Sequence, residues 1–514
     1  MNQLAIQKLD FWKKEVKDFS VLLLFPVFFI LHGNNEFYDI IPWKTVLILF
    51  VKYCLVILFF WIVAVVFLKQ RNKALVFAFY LICLFFLFGV FHDWIKSWLS
   101  IKFFTSYRFL LPAIGVLTVL IWIFLKRHKA EYAKPVRLIK LLLIVLTLIE
   151  LCIAGYNFLS GASGKNNLLQ DTVKLSSCSS AIKPDIFFIV FDGFTSSKTL
   201  KEEFDIDNKE VDSLFHSNNY FISAASESNY NSTPFSLSST LGLSYLKHGI
   251  DSSLISSVEF IKGIETLKRV QLIDFLRGND YKVLNFGCFN LRGTPSQIVP
   301  YFDYLYKDII DNQTLYSRIK RDVGWSFQLR NIFTGEFRVP NDYKKNKALH
   351  LYRNQSNFNY LLSELNRESD TSRFVYAHLM LPHEPFFLDS LGKEIPDTTI
   401  LKEQLKMKDG YKNQVIYANS LLKQIIPLAE KRSKRDKIII IEGDHGFRDY
   451  PENTAREKIF SNLNVYYFSD HDYSMLYNGI SPVNTFRVVL NKYFCQRLPM
   501  LKDSSIYLTE KRRY

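Results

Sequence analysis

Residues 437–446 read Lys437-Ile438-Ile439-Ile440-Ile441-Glu442-Gly443-Asp444-His445-Gly446. An uninterrupted apolar run of this length reads as a strand covered on both faces, which is the signature of a parallel sheet between helices. The polar cluster that ends it is chemically capable, because adjacent Asp and His at a buried strand end seldom serve packing. The same arrangement recurs along the chain. Ile186–Phe191 runs into Asp192-Gly193, Val283–Phe286 into Gly287, and Phe374–Ala377 into His378, and Val465–Phe468 adds a further strand. In open α/β sheets ligands bind at the carboxyl ends of the strands. Asp192, His378, Asp444 and His445 are therefore expected to converge on one rim.

A second element belongs there. Asn229-Tyr230-Asn231-Ser232-Thr233-Pro234-Phe235-Ser236 reads as a loop entering a helix, with Thr233 as N-cap and Pro234 at the first helical position. A hydroxyl at a helix N-terminus sits in positive potential beside free N–H groups, which favours an alkoxide and a bound phosphate or sulfate. Together these residues describe a metal-assisted nucleophile. Asp192, Asp444 and His445 offer O, O and N ligands to one divalent cation, with the Thr233 oxygen as a further ligand. Mixed carboxylate and imidazole donors suit Zn²⁺ or Mn²⁺ better than Mg²⁺. His378 and His383, in His378-Leu-Met-Leu-Pro-His383-Glu-Pro-Phe, are placed to bind the substrate anion or to protonate the leaving oxygen.

Upstream the chain is of another kind. Five apolar stretches, at about 18–33, 44–68, 73–92, 108–125 and 136–158, are long enough for a bilayer of roughly 30 Å. The leader before the first run is long and polar and no small-residue cleavage site follows, so it does not read as a cleaved signal. Lys and Arg collect before the first span (Lys8, Lys13, Lys14, Lys17), after the second (Lys69, Arg71, Lys73) and after the fourth (Lys126 to Arg137). The first loop, by contrast, carries Glu36 and Asp39 and no basic residue. That asymmetry puts the N-terminus in the cytoplasm and, after five spans, everything beyond residue 158 outside. Trp94, Ile95, Trp98, Leu99 and Phe103 read as a helix lying in the interface. The net charge of +15 is thereby accounted for by membrane orientation, and nucleic acid is not an expected partner.

Residues 159–184 are rich in Ser, Gly and Asn and read as a linker; 185–500 form the soluble domain and 501–514 a charged tail. None of the six cysteines has metal-ligand or CxxC spacing. A Cys178–Cys495 bridge and unpaired thiols both fit.

At the residues quoted, the chain resembles the alkaline phosphatase/sulfatase superfamily, and is most similar to its membrane-anchored branch of lipoteichoic acid synthases and phosphoethanolamine transferases. Its motifs correspond to Asp192, to Thr233-x-x-Ser236, to His378 with His383, and to Asp444-His445-Gly446. The likeness runs from Asp185 to Phe494. It implies an α/β alkaline-phosphatase-like domain with a mainly parallel sheet, with Asp192, Thr233, Asp444 and His445 as metal ligands and Thr233 as nucleophile. It also implies transfer of a phosphoryl-linked head group, such as phosphoethanolamine or glycerol phosphate, from a membrane lipid donor to an envelope glycan or lipid acceptor. The implied location is the bacterial cytoplasmic membrane, with the catalytic domain periplasmic or extracellular.

An alternative register, Ser232-x-Pro234, makes Ser232 the nucleophile. The Phe at position 235 and the absence of a following Arg depart from the sulfatase C/S-x-P-S-R motif and disfavour sulfate esters. A hydrolase with water as acceptor and a non-catalytic membrane protein are the competing readings.

Overall fold

A computed structural model describes residues 19–510 apart from 100, 102, 161–166, 172, 177–182, 248–253, 256, 300, 302, 324–338, 402–406, 432–433 and 451–455. The basic leader, Cys178, part of the linker and the Lys511–Arg513 tail lie outside the described residues. The chain forms two compact units, one of residues 1–165 with 303–338 and one of 166–302 with 339–513.

The first unit is helical. Its apolar helices are α1 (Phe19–Glu36), α2 (Trp43–Leu68), α3 (Arg71–Phe86), α4 (Phe88–Trp98), α5 (Tyr107–Arg127) and α6 (Ala133–Leu159). Four of these are long and apolar enough to cross a membrane, and a fifth crossing is reached if α3 and α4 count as one span bent by 64°. The third expected span, 73–92, is therefore a broken one. The cause is tertiary. The Gly89 N–H donates to the Gln313 carbonyl at 2.8 Å, and a β-carbon at Gly89 would lie 2.8 Å from the Gln313 α-carbon, so only glycine admits this approach. Large apolar side chains such as Phe59, Leu117, Leu120 and Leu141 are exposed on these helices, as lipid-facing surfaces require.

Helices at Asp303–Asp311 and Leu315–Asp322 belong to this unit. Asp311, buried, accepts from Lys52 Nζ at 2.6 Å and from the Tyr53 hydroxyl at 2.9 Å. Arg318, also buried, makes a two-pronged pair with Asp93 at 2.8 and 2.5 Å, and the Tyr107 hydroxyl donates to Asp322 at 2.6 Å. Ile310 packs on Gly33.

The second unit is built on a six-stranded sheet: β1 (Asp185–Phe191), β2 (Phe221–Ile222), β3 (Lys282–Phe286), β4 (Arg373–Leu379), β5 (Lys437–Glu442) and β6 (Asn464–Phe468), in the order β2-β6-β5-β1-β4-β3. The four strands β3, β4, β1 and β5 run parallel, while β6 is antiparallel to both β5 and β2. All residues of β1, β4, β5 and β6 are buried.

One face, with Phe187, Ile189, Val375, Ala377, Ile439 and Ile441, packs on Leu361 and Leu365 of α8 (Asn341–Asn366) and Val415 and Leu422 of α9 (Met407–Ile425). The other presents Phe188 and Phe374 to Phe486 of α10 (Pro482–Tyr493) at 5.2 and 6.0 Å between ring centroids. On this second side lies α7 (Thr233–Gly242), every residue of which is buried. Burial on both faces is why these strands read as continuous apolar runs and not as alternating ones.

Candidate metal centre

The carboxyl ends of β1, β4 and β5 bring Asp192, His378, Asp444 and His445 together, all at most 1% exposed. Asp192 follows β1 directly. His378 lies inside β4, one residue before its end, and not beyond it as the sequence suggested. The turn after β5 is shaped by close packing: a β-carbon on Gly443 would lie 2.2 Å from the Phe194 carbonyl oxygen, so residue 443 has to be glycine.

His378 Nε2 is 3.2 Å from Asp192 Oδ2. His445 Nε2 lies 3.5 Å from Asp192 Oδ1 and 3.6 Å from Asp444 Oδ2, and His383 Nε2 is 3.9 Å from Asp192 Oδ1. His445 Nδ1 is 2.7 Å from the Gly446 carbonyl, which assigns its proton there and leaves the Nε2 lone pair facing the carboxylates. Asp444 Oδ1 accepts from the Gly193 and His445 amides at 2.9 and 3.1 Å.

Thr233 is where sequence and structure differ in detail. Ser232 is the N-cap and Thr233 the first helical residue, with Pro234 behind it. The Ser232 side chain makes no capping bond, and its buried Oγ has no hydrogen-bond partner. Thr233 Oγ1 points instead toward the carboxylates, 3.5 Å from Asp192 Oδ2 and 3.4 Å from His445 Nε2.

Two groupings of these side chains are compact enough to hold a cation: Asp192, His383 and His445, and Asp192, His378 and Asp444. A divalent ion fits them on a direct observation. Asp192 Oδ1 and Asp444 Oδ2 are buried and accept no hydrogen bond, although a buried carboxylate oxygen left without a partner is costly. Burial by itself would raise the Asp192 carboxyl, but His383, His378 and His445 together outweigh it and hold the group well below the usual carboxylate range. Burial pushes the His445 imidazole down, keeping the neutral form that ligates.

Supporting groups appear that the sequence reading did not assign. Tyr376 OH and Cys288 Sγ lie 2.9 and 3.3 Å from His378 Nδ1, turning its other nitrogen toward Asp192. Burial pushes the Cys288 thiol up, so it sits there as a neutral group. Tyr376 and His378 share one strand face at i, i+2, a signal legible in the sequence once β4 is set; Cys288 carried none.

Glu442 is fully buried on the face of β5 that carries Ile438 and Ile440, near Thr240 and Thr485. Burial, and next the Asp444 charge, push its carboxyl well above the ordinary value, so it is neutral. A raised folded pKa means that the folded state keeps a proton the unfolded chain releases, and stability falls as pH rises above about 4.5. Glu442→Gln is therefore expected to raise the melting temperature by about 2–4 °C at pH 8. The gain should shrink toward pH 4.5, and a pH series of melts on the two proteins checks it.

Residues 184–486, more than half of the chain, match the family described as Sulfatase. The chain belongs to the sulfatase family. It is accordingly a phosphotransferase or hydrolase of the metal-dependent alkaline phosphatase/sulfatase superfamily, and Asp192, His378, His383, Asp444 and His445 form its candidate metal site.

Among solved structures, this sulfatase-family chain is similar to the integral membrane lipooligosaccharide phosphoethanolamine transferase A of Neisseria meningitidis, at 14% identity and a TM-score of 0.38, covering 92% of this chain and 95% of that one. It is similar also to the soluble domain of the same transferase (14%, TM-score 0.37, 63% and 91% covered). A third is the periplasmic domain of an Escherichia coli EptC in complex with Zn (11%, TM-score 0.36, 64% and 85% covered). No curated protein matches the chain.

Proposed function

We propose that this protein is a membrane-bound, metal-dependent transferase that uses Thr233 to move a phosphoryl-linked head group from a lipid to an envelope acceptor. The observation that carries this reading is the Thr233 hydroxyl, held at the N-terminus of a buried helix within 3.5 Å of both Asp192 and His445. It occurs in a chain whose first third is apolar helix, an anchor that a lipid donor warrants and a soluble substrate does not.

Asp192, Asp444 and His445, with Thr233, would hold the cation, and His378 and His383 extend the donor set. Zn²⁺ or Mn²⁺ suits these donors better than Mg²⁺. Such an ion, when bound, neutralises charge on the phosphoryl group and lowers the pKa of a nearby hydroxyl.

The chain's own groups then supply the rest. Thr233 Oγ attacks phosphorus and gives up its proton to His383 Nε2, the bond from phosphorus to the diacylglycerol oxygen breaks, and that oxygen leaves with the proton that His383 hands on. The head group is left as a phosphodiester on Thr233, and an acceptor hydroxyl displaces it in a second in-line step that regenerates the threonine. The positive end of the α7 dipole adds potential for the developing charge.

For location, the reading places the chain in a bacterial cytoplasmic membrane, with the N-terminus inside and the catalytic unit outside. Cys495 is disulfide-bonded, in keeping with an oxidising compartment.

The test uses the full-length protein in detergent with liposomes of phosphatidylethanolamine or phosphatidylglycerol. The expected result is diacylglycerol release that requires Zn²⁺ or Mn²⁺ and rises with an added glycan or lipid acceptor. Release indifferent to any acceptor makes the protein a hydrolase, and absence of both metal and release removes the reading. Asp444→Asn is expected to lose most of the bound metal, as read by elemental analysis of purified protein.

A further inference from the structure

Arg448, two residues beyond Gly446, lies between Asn231 and His383 beside this centre. It is half-buried and touches two loops that frame Thr233. Nη1 donates to the Asn231 carbonyl at 3.4 Å, on the loop that leads into α7. Nη2 donates to His383 Nε2. His383 Nδ1 meets the Glu384 carbonyl, which fixes the proton on Nδ1 and leaves Nε2 as the acceptor. Among the described residues no carboxylate forms an ion pair with Arg448; Asp192 and Asp444, the buried acids nearby, face histidines. A half-buried guanidinium whose acceptors among the described residues are a neutral carbonyl and an imidazole lone pair is better matched by a charged oxygen.

We propose that Arg448 is the anion-binding residue of this centre, and that it grips a non-bridging oxygen of the phosphoryl group. The assignment rests on the phosphoryl-transfer reading above and adds to it the residue that takes the substrate's charge.

Two consequences follow from the geometry. A phosphoryl oxygen carries negative charge and the imidazole lone pair does not, so the anion displaces His383 from the guanidinium. His383 Nε2 is then free for the proton or the cation, so arrival of the anion makes the histidine available. The fork of N–H groups also matches two oxygens of one phosphoryl group, which a lysine ammonium cannot do.

The experiment measures inorganic phosphate binding by calorimetry to full-length, Zn²⁺-loaded protein in detergent, in wild type, Arg448→Met and Arg448→Lys. It adds KM and kcat for a chromogenic phosphodiester, bis(p-nitrophenyl) phosphate. The expected result is a phosphate Kd about 10–100-fold weaker in Arg448→Met, with metal content and melting temperature held. KM should rise in parallel and more than kcat falls, and Arg448→Lys should recover part of both. Equal phosphate affinity in all three proteins, or none in wild type, overturns the proposal. So does loss of metal from both variants, which would make Arg448 a support for His383 and not an anion ligand. Phosphate affinity is read without turnover, so failure of lipid transfer by wild type counts against the transfer reading and leaves this one measurable.

Discussion

Thr233→Ala is expected to lower turnover by at least about a thousandfold while the protein still folds, because removing a nucleophile leaves only binding and electrostatics to act. Steady-state assays on lipid and chromogenic substrates, alongside melting curves, check it. Two controls sharpen the result. Thr233→Ser keeps a hydroxyl at the same helix position and should retain measurable activity. Ser232→Ala should retain most of it, since the Ser232 side chain neither caps α7 nor reaches a hydrogen-bond partner. If Ser232→Ala is the inactive variant and Thr233→Ala the active one, the nucleophile is Ser232. The Ser232-x-Pro234 register would then hold.

The largest stability effect is expected at the opposite end of the sheet from the site. Arg373, 1% exposed at the start of β4, spends nearly every donor it has. Its amide and Nε donate to Asp185 at 3.0 Å each and Nη2 to Asp185 Oδ2 at 2.5 Å; Nη1 donates to Glu364 at 2.8 Å, and Nη2 also reaches the Arg367 carbonyl at 3.1 Å. Asp185→Ala leaves a buried guanidinium short of its main partner and should destabilise by about 3–5 kcal/mol. The double variant Asp185→Leu/Arg373→Met should lose less than the two single changes summed, because it buries no unpaired charge. Denaturant titration of the three proteins measures both effects. A double variant as unstable as the sum would mean that packing, and not the ion pair, carries the cost.

What could be read in the sequence follows from how local each signal is. Hydropathy alone marks the apolar helices, and a strand buried on both faces reads as an apolar run whatever lies around it, so β1, β4 and β5 and the polar residues at their ends were visible. The break between α3 and α4 was not, because it depends on the Gln313 backbone approaching Gly89 from more than two hundred residues away. Thr233 sits one position further into the helix than its capping propensity suggests, and only the fold turns its hydroxyl toward Asp192. Arg448 and Glu442 stand beside a legible motif, but whether a charged residue there is buried or solvated is a property of what packs against it. The segment 303–322 carries no motif of its own, since its Asp311 and Arg318 acquire meaning only against Lys52, Tyr53 and Asp93.

That last set of bonds decides where the molecule can be cut. The sequence advertises a seam near residue 160, with an anchor before it and an enzyme after it. A fragment beginning there would carry the 303–322 helices away from the partners that neutralise them, leaving a carboxylate, a guanidinium and an apolar face with nothing to meet. Anchor and enzyme are thus not interchangeable parts. Joining everything after residue 160 to a foreign set of membrane helices requires counterparts for Lys52, Tyr53 and Asp93, and the smallest piece that keeps every one of these bonds spans both sides of the seam.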